Sequence, residues 1–143
     1  MMIRTRIPKC RCEVVMKIKF ISSYHRKTFT KFILENVRNP YSSRYEYIAA
    51  VFLLSADKFL WKRAENALTG RSVNFDQIKL KGISTQSYAL YKAARSIYMG
   101  DLGIALHELG DDELIDQATM FTIFCGVMLL RNGIGLLNWK VKA

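Results

Sequence analysis

The chain has 143 residues, the size of one globular domain, and half of them are hydrophobic, which excludes wholesale disorder. Only two prolines interrupt long runs of helix formers, so the chain leans toward helices. Its net charge of +10, from 22 Lys+Arg against 12 Asp+Glu, exceeds what solubility asks of a domain this size and favours anionic partners.

The charge is uneven. Residues 1–38 carry ten Lys or Arg against Glu13 and Glu35, whereas residues 101–116 carry six acids and no Lys or Arg. Three cysteines are an odd number for a disulfide framework, and Met1–Val15 has no apolar core of a signal peptide. The longest apolar run, Met120–Leu130, spans 11 residues, short of the roughly 20 that a membrane helix needs. The expectation is a cytoplasmic protein with reduced thiols and no membrane partner.

Met1–Val15 shows no helical period and contains Pro8 and Cys10-Arg11-Cys12. It is expected to be a flexible basic tail or an upstream extension, with Met16 as the alternative start, and residues 16–143 are expected to form a single helical domain. A first helix is predicted from about Ser23 to Val37, capped by Ser22 or Ser23, with Phe29, Phe32 and Ile33 inward and Arg26, Lys27 and Lys31 on another face. Asn39-Pro40 ends it. Ser43-Arg44-Tyr45-Glu46 fits a capping box, and the run Tyr47–Leu54 is apolar all round, which predicts a central buried helix. Ser55-Ala56-Asp57 offers a cap for a third helix to Leu68, so residues 43–69 are read as two helices rather than one. Thr69-Gly70 closes the third, with Gly70 in the left-handed position.

Arg71–Leu80 alternates weakly and suits a loop or short strand. Ser84 or Thr85 caps a fourth helix to Met99, with Leu90, Tyr91, Ala94, Ile97 and Tyr98 on one stripe and Gly100 as its stop. Residues 101–110 read as a loop or helical turn. Asp111 or Asp112 is expected to open a last helix to Leu130, its acids complementing the helix dipole. Gly133 and Gly135 break that helix, and the apolar tail Ile134–Ala143 is expected to pack on the body or meet a partner. The sum is an all-α (or mainly α) protein: a compact bundle of about five helices, with room for one short hairpin.

Residues from about Phe20 to Arg131 resemble a family of short uncharacterised proteins encoded by prophages and other mobile elements of Firmicutes bacteria. Four features carry the resemblance. They are Tyr24-His25 with Phe29; Tyr45 and Ile48–Leu54 leading to Ser55-Ala56-Asp57; Gly82–Ser87 before a helix with Ala94-Arg95; and Leu106–Asp111 before a closing helix ending in Leu130-Arg131. The family carries no assigned activity. What the resemblance implies is genomic context, in which small proteins bind and block host or rival enzymes, defence nucleases among them.

The search for chemistry is negative. Cys10 and Cys12 are one residue apart, where structural zinc sites favour gaps of about two to four, so a site with His25 is disfavoured. His25 reads as a surface residue of a basic helix, and His107 beside Glu108 as a solvated pair. Cys125 sits in an apolar run as a small buried hydrophobe. The acids Asp111, Asp112, Glu113 and Asp116 lack the spacing and glycine of a calcium loop, Gly133-Ile134-Gly135 lacks the third glycine of a dinucleotide fingerprint, and Gly70-Arg71-Ser72 lacks the lysine of a phosphate loop. No catalytic residue, metal site or cofactor is expected.

Binding residues are easier to nominate. Arg26, Lys27 and Lys31 beside Tyr24 and His25, Arg38 and Arg44 beside Tyr41 and Tyr45, and Lys79 with Lys81 mix cations with aromatics, a pattern suited to phosphates and unpaired bases. Asp111, Asp112, Glu113 and Asp116 are the acidic counterpart, suited to a basic partner surface. The leading expectation is a non-enzymatic mobile-element accessory protein that binds and inhibits or modulates a host nucleic-acid-handling protein, such as a CRISPR nuclease. The alternative is a small basic DNA- or RNA-binding regulator. A homodimer through the Trp139 tail is compatible with both.

Overall fold

The run that is apolar on every side becomes the axis of the molecule. In a computed structural model, which describes residues 18–101 and 103–137, six α-helices follow in order: α1 Ser23–Asn36, α2 Tyr45–Leu54, α3 Lys58–Ala64, α4 Thr85–Met99, α5 Leu106–Leu109 and α6 Gln117–Asn132. Every residue of α2 from Tyr47 to Leu54 is buried, because an apolar surface all round leaves no face that gains by meeting water. It packs most extensively on α4 and α6, with α1 and α3 beside it. Gly126 lets α6 approach α2 closely, since a Cβ there would stand 2.9 Å from the Leu53 side chain. The result is all-α, and among the described residues the extended pairing is one isolated bridge, Leu68 with Val73, where a hairpin had room to form.

Helix starts obey local hydrogen-bond chemistry. Ser22 accepts from the His25 N–H, Asp57 from Leu60, Ser84 from Ser87 and Asp116 from Thr119. The Asp57 carboxylate also accepts the Ser87 hydroxyl at 2.7 Å, and the Ser84 hydroxyl donates to that of Ser87 at 3.0 Å. One polar chain thus joins the starts of α3 and α4. Gly100, at φ 75, ends α4 in the left-handed conformation that favours glycine.

Five expectations change. Ser43 does not cap α2: its hydroxyl donates to the Asn39 carbonyl at 3.0 Å, closing the 3-10 turn Pro40–Ser42, while Glu46 pairs with Arg44 at 3.2 Å. The third helix leaves α geometry after Ala64 and continues as the 3-10 turn Glu65–Ala67. Gly70 is not among the positive-φ glycines; glycine is needed there because the loop lies directly on the Asn36 carbonyl, where a Cβ would collide. The last helix starts at Gln117 rather than Asp111 or Asp112, because Asp111 turns back to accept the Glu113 N–H at 3.0 Å and Ile115 is buried before the helix begins.

The fifth change concerns His25, which is fully buried rather than on the surface. Its Nε2–H donates to the Phe52 carbonyl at 2.7 Å, and its Nδ1 accepts the Ile21 N–H at 3.1 Å. The ring therefore fastens α1 to the last turn of α2. Burial lowers its pKa to about 4, against the opposing pull of the Phe52 hydrogen bond, so it is neutral at pH 7. Ile134 and Leu137 of the apolar tail are buried, as a packed tail requires. The expectations for the basic tail, Met16, Cys10, Cys12 and Trp139 lie outside the described residues.

Candidate anion-binding cleft

α1 ends at Asn36, and Arg38 and Asn39 lead into the turn Pro40–Ser42. Facing this corner is the loop from Thr69 to Ser72. Thr69 Oγ1 accepts the N–H groups of Arg71 and Ser72 at 3.2 and 3.0 Å, a compact turn of the kind a short hydroxyl side chain favours. The Tyr47 hydroxyl donates to the Thr69 carbonyl at 2.6 Å, tying the loop to α2. Burial, with a smaller contribution from Tyr98, raises the pKa of this phenol, which keeps it a donor. With Gly70 seated on Asn36, the loop has a fixed place against the end of α1.

Between them runs a cleft of about 740 Å³ lined by Arg38, Asn39, Ser42, Ser43, Thr69 and Arg71. Ser42, Ser43 and Arg71 also line an adjoining hollow of about 260 Å³, which adds Arg44 and Tyr47. No aspartate or glutamate lines either one. The Arg44 guanidinium lies over the Tyr98 ring at 5.7 Å and pairs with Glu46, so its direction is set from two sides. Arg38 and Arg71 are exposed and form no ion pair among the described residues. The hydroxyls and carbonyls of the corner bond to one another, and the guanidinium groups are what remains. A guanidinium offers a planar fork of donors that matches two oxygens of a phosphate.

The other basic residues go elsewhere. Arg26 stacks over Phe20 at 5.2 Å, and Lys27 is exposed on α1. Lys31 borders the neighbouring groove between α1 and α3. Lys79 and Lys81 are exposed on the connection to α4, where Arg63 accepts nothing and donates to both of their carbonyls, at 3.0 and 2.6 Å. So Arg38 and Arg44 line adjoining hollows, and the rest of the nominated cations lie elsewhere. Arg71 was not among the nominated residues; its signal was the Thr69-Gly70 turn, which delivers the next side chain to the end of α1.

The acidic residues sit at the opposite end of α4. Gln86 accepts the Asp116 N–H and donates to the Leu114 carbonyl, both at 3.0 Å, stapling the turn to α4. Asp111, Asp112, Glu113 and Asp116 are all exposed. Gln86 and Tyr98, which mark the two charged ends, are twelve residues apart, roughly 18 Å along the helix.

Among the described residues no three His, Cys, Asp or Glu gather closely enough to hold a metal ion. Both ring nitrogens of His25 are engaged, and Cys125 is buried with its thiol pKa pushed up by that burial. No described helix is long and apolar enough to cross a membrane. Comparison with family models, with curated proteins and with solved structures finds no match for this chain.

Proposed function

We propose that this is a non-enzymatic accessory protein of a mobile element, and that it acts by binding nucleic acid through the arginine cleft. The observation that carries the reading is the lining itself: Arg38 and Arg71 line one cleft, Arg71 and Arg44 the hollow adjoining it, and neither has an acidic side chain among its lining residues. Such a site concentrates phosphates, and binding there releases counterions, so affinity falls steeply with salt. The mobile-element context comes from the resemblance over Phe20–Arg131. Fluorescence anisotropy with labelled DNA and RNA strands across a salt series tests the reading. Binding that weakens linearly on a log–log plot supports it, and no binding at low salt removes it.

A second reading is favoured by the charge at the other end of α4. There Asp112 and Glu113 present exposed carboxylates on a stapled turn, and a turn of this charge suits a basic surface. On this reading the protein inhibits or modulates a host nucleic-acid-handling protein, such as a CRISPR nuclease, by occupying that surface. Cleavage assays with and without the protein separate the two, since an inhibitor of this kind acts without binding free DNA.

A further inference from the structure

The hollow next to the arginine cleft has a different chemistry. α1 and α3 enclose a groove of about 480 Å³, a size usual for small-ligand sites. Tyr24, Phe32 and Trp61 lie along it, with Phe32 and Trp61 edge to face at 5.5 Å. Trp61 is 7% exposed and backs the half-buried Phe32, and Tyr24 is half-buried. At the edges Lys31 and Lys62 balance Glu35 and Glu65, so the groove has no net attraction for an anion. Asn66 adds an amide that both donates and accepts, and Asn36, whose Nδ2 donates to the Phe32 carbonyl at 3.1 Å, adds an Oδ1 acceptor.

The two hollows touch. Asn36 lines both, and the consecutive residues Leu68 and Thr69 line one each. A cationic cleft is therefore continuous with a charge-balanced, aromatic-walled groove. The ligand that fits this pair has an anionic group beside a flat, uncharged ring with hydrogen-bonding edges.

We infer that the groove receives an unpaired nucleobase while the adjoining phosphates lie between Arg38 and Arg71, which makes single-stranded nucleic acid the ligand. The inference rests on the nucleic-acid reading of the cleft and adds to it a choice of strand state. A duplex hides the faces of its bases, whereas an open strand offers them to aromatic side chains. The base also brings its own donors and acceptors to the two amides, which an abasic chain cannot do.

The test uses the full chain and four probes: a labelled 12-mer DNA strand, the same length of abasic strand, the corresponding duplex, and a phosphotyrosine peptide. The expected result is that the base-bearing strand binds roughly tenfold more tightly than the abasic strand and the duplex. The chain has two tryptophans, so a Trp139→Phe variant isolates Trp61, whose fluorescence should be quenched by the base-bearing strand alone. Asn66→Ala, at an exposed position, should weaken the base-bearing strand several-fold and leave the abasic strand unchanged. Equal binding of abasic and base-bearing strands overturns the base site but leaves the phosphate cleft standing. Preference for the duplex or the peptide overturns it as well. If no probe binds, the reading of the cleft falls too.

Discussion

At the Gln86 end of α4, charged groups hold the fold together. Asp111 shapes its own turn, Asp116 accepts the Thr119 N–H in the first turn of α6 at 2.8 Å, and Gln86 binds both edges of that segment. At the Tyr98 end Arg44 pairs with Glu46 and Arg95 with Asp101, and Ser43, Thr69 and Tyr47 bond to backbone, while Arg38 and Arg71 are exposed and form no ion pair among the described residues. The difference teaches where to look for contact with a partner. Polar groups bonded within the fold set stability, whereas those with no internal partner are available for binding.

His25 is the extreme of the first kind and gives the largest expected effect. Its pKa is 6.5 in the unfolded chain and about 4 in the folded one, so the folded protein binds fewer protons between those values. Its contribution is full above about pH 6.5 and is lost as pH falls toward 4, a total of roughly 3 kcal/mol. Protonation would also aim a second N–H at the Ile21 amide. Urea unfolding at steps from pH 7 to 4 should show this slope, and His25→Gln should flatten it; a slope unchanged in the variant contradicts the assignment.

Reversing the arginines probes the second kind. The double variant Arg38→Glu, Arg71→Glu should weaken strand binding by roughly a hundredfold at low salt, while its unfolding free energy stays within about 0.5 kcal/mol of the parent's. A comparable loss of stability would show that these side chains serve the fold after all. Asp116→Ala should behave in the opposite way, costing about 1 kcal/mol of stability through the lost cap, with strand affinity nearly constant. The smallest effect is expected for Asp112→Asn, within about 0.5 kcal/mol in stability. If that variant alone abolishes inhibition of a nuclease, the acidic end is the interface instead.

Much of the fold could be read from local pattern. The serines before α1 and α4, Gly100 and the run Tyr47–Leu54 act through neighbours a few residues away, which is the range that sequence spacing describes. His25 was legible too, being four and eight residues before Phe29 and Ile33 on their buried face, but its polarity suggested solvent. The start of α6 was misplaced because four acids offered several caps, and burial of Ile115 decided among them. The cleft was half legible. Arg38 and Arg44 are near in sequence, whereas Arg71 joins them only because Gly70 brings its loop onto Asn36 and Tyr47 holds it there.

The chain from Asp57 through Ser87 to Ser84 has a consequence for motion. A single carboxylate serves the first turns of both α3 and α4, so neither end can fray without loosening the other. The two helices therefore open as one unit, and amide hydrogens at Leu60 and Ser87 should exchange with deuterium at matched rates. Because α3 forms one wall of the groove, its outward swing is checked by Ser87 of the neighbouring α4.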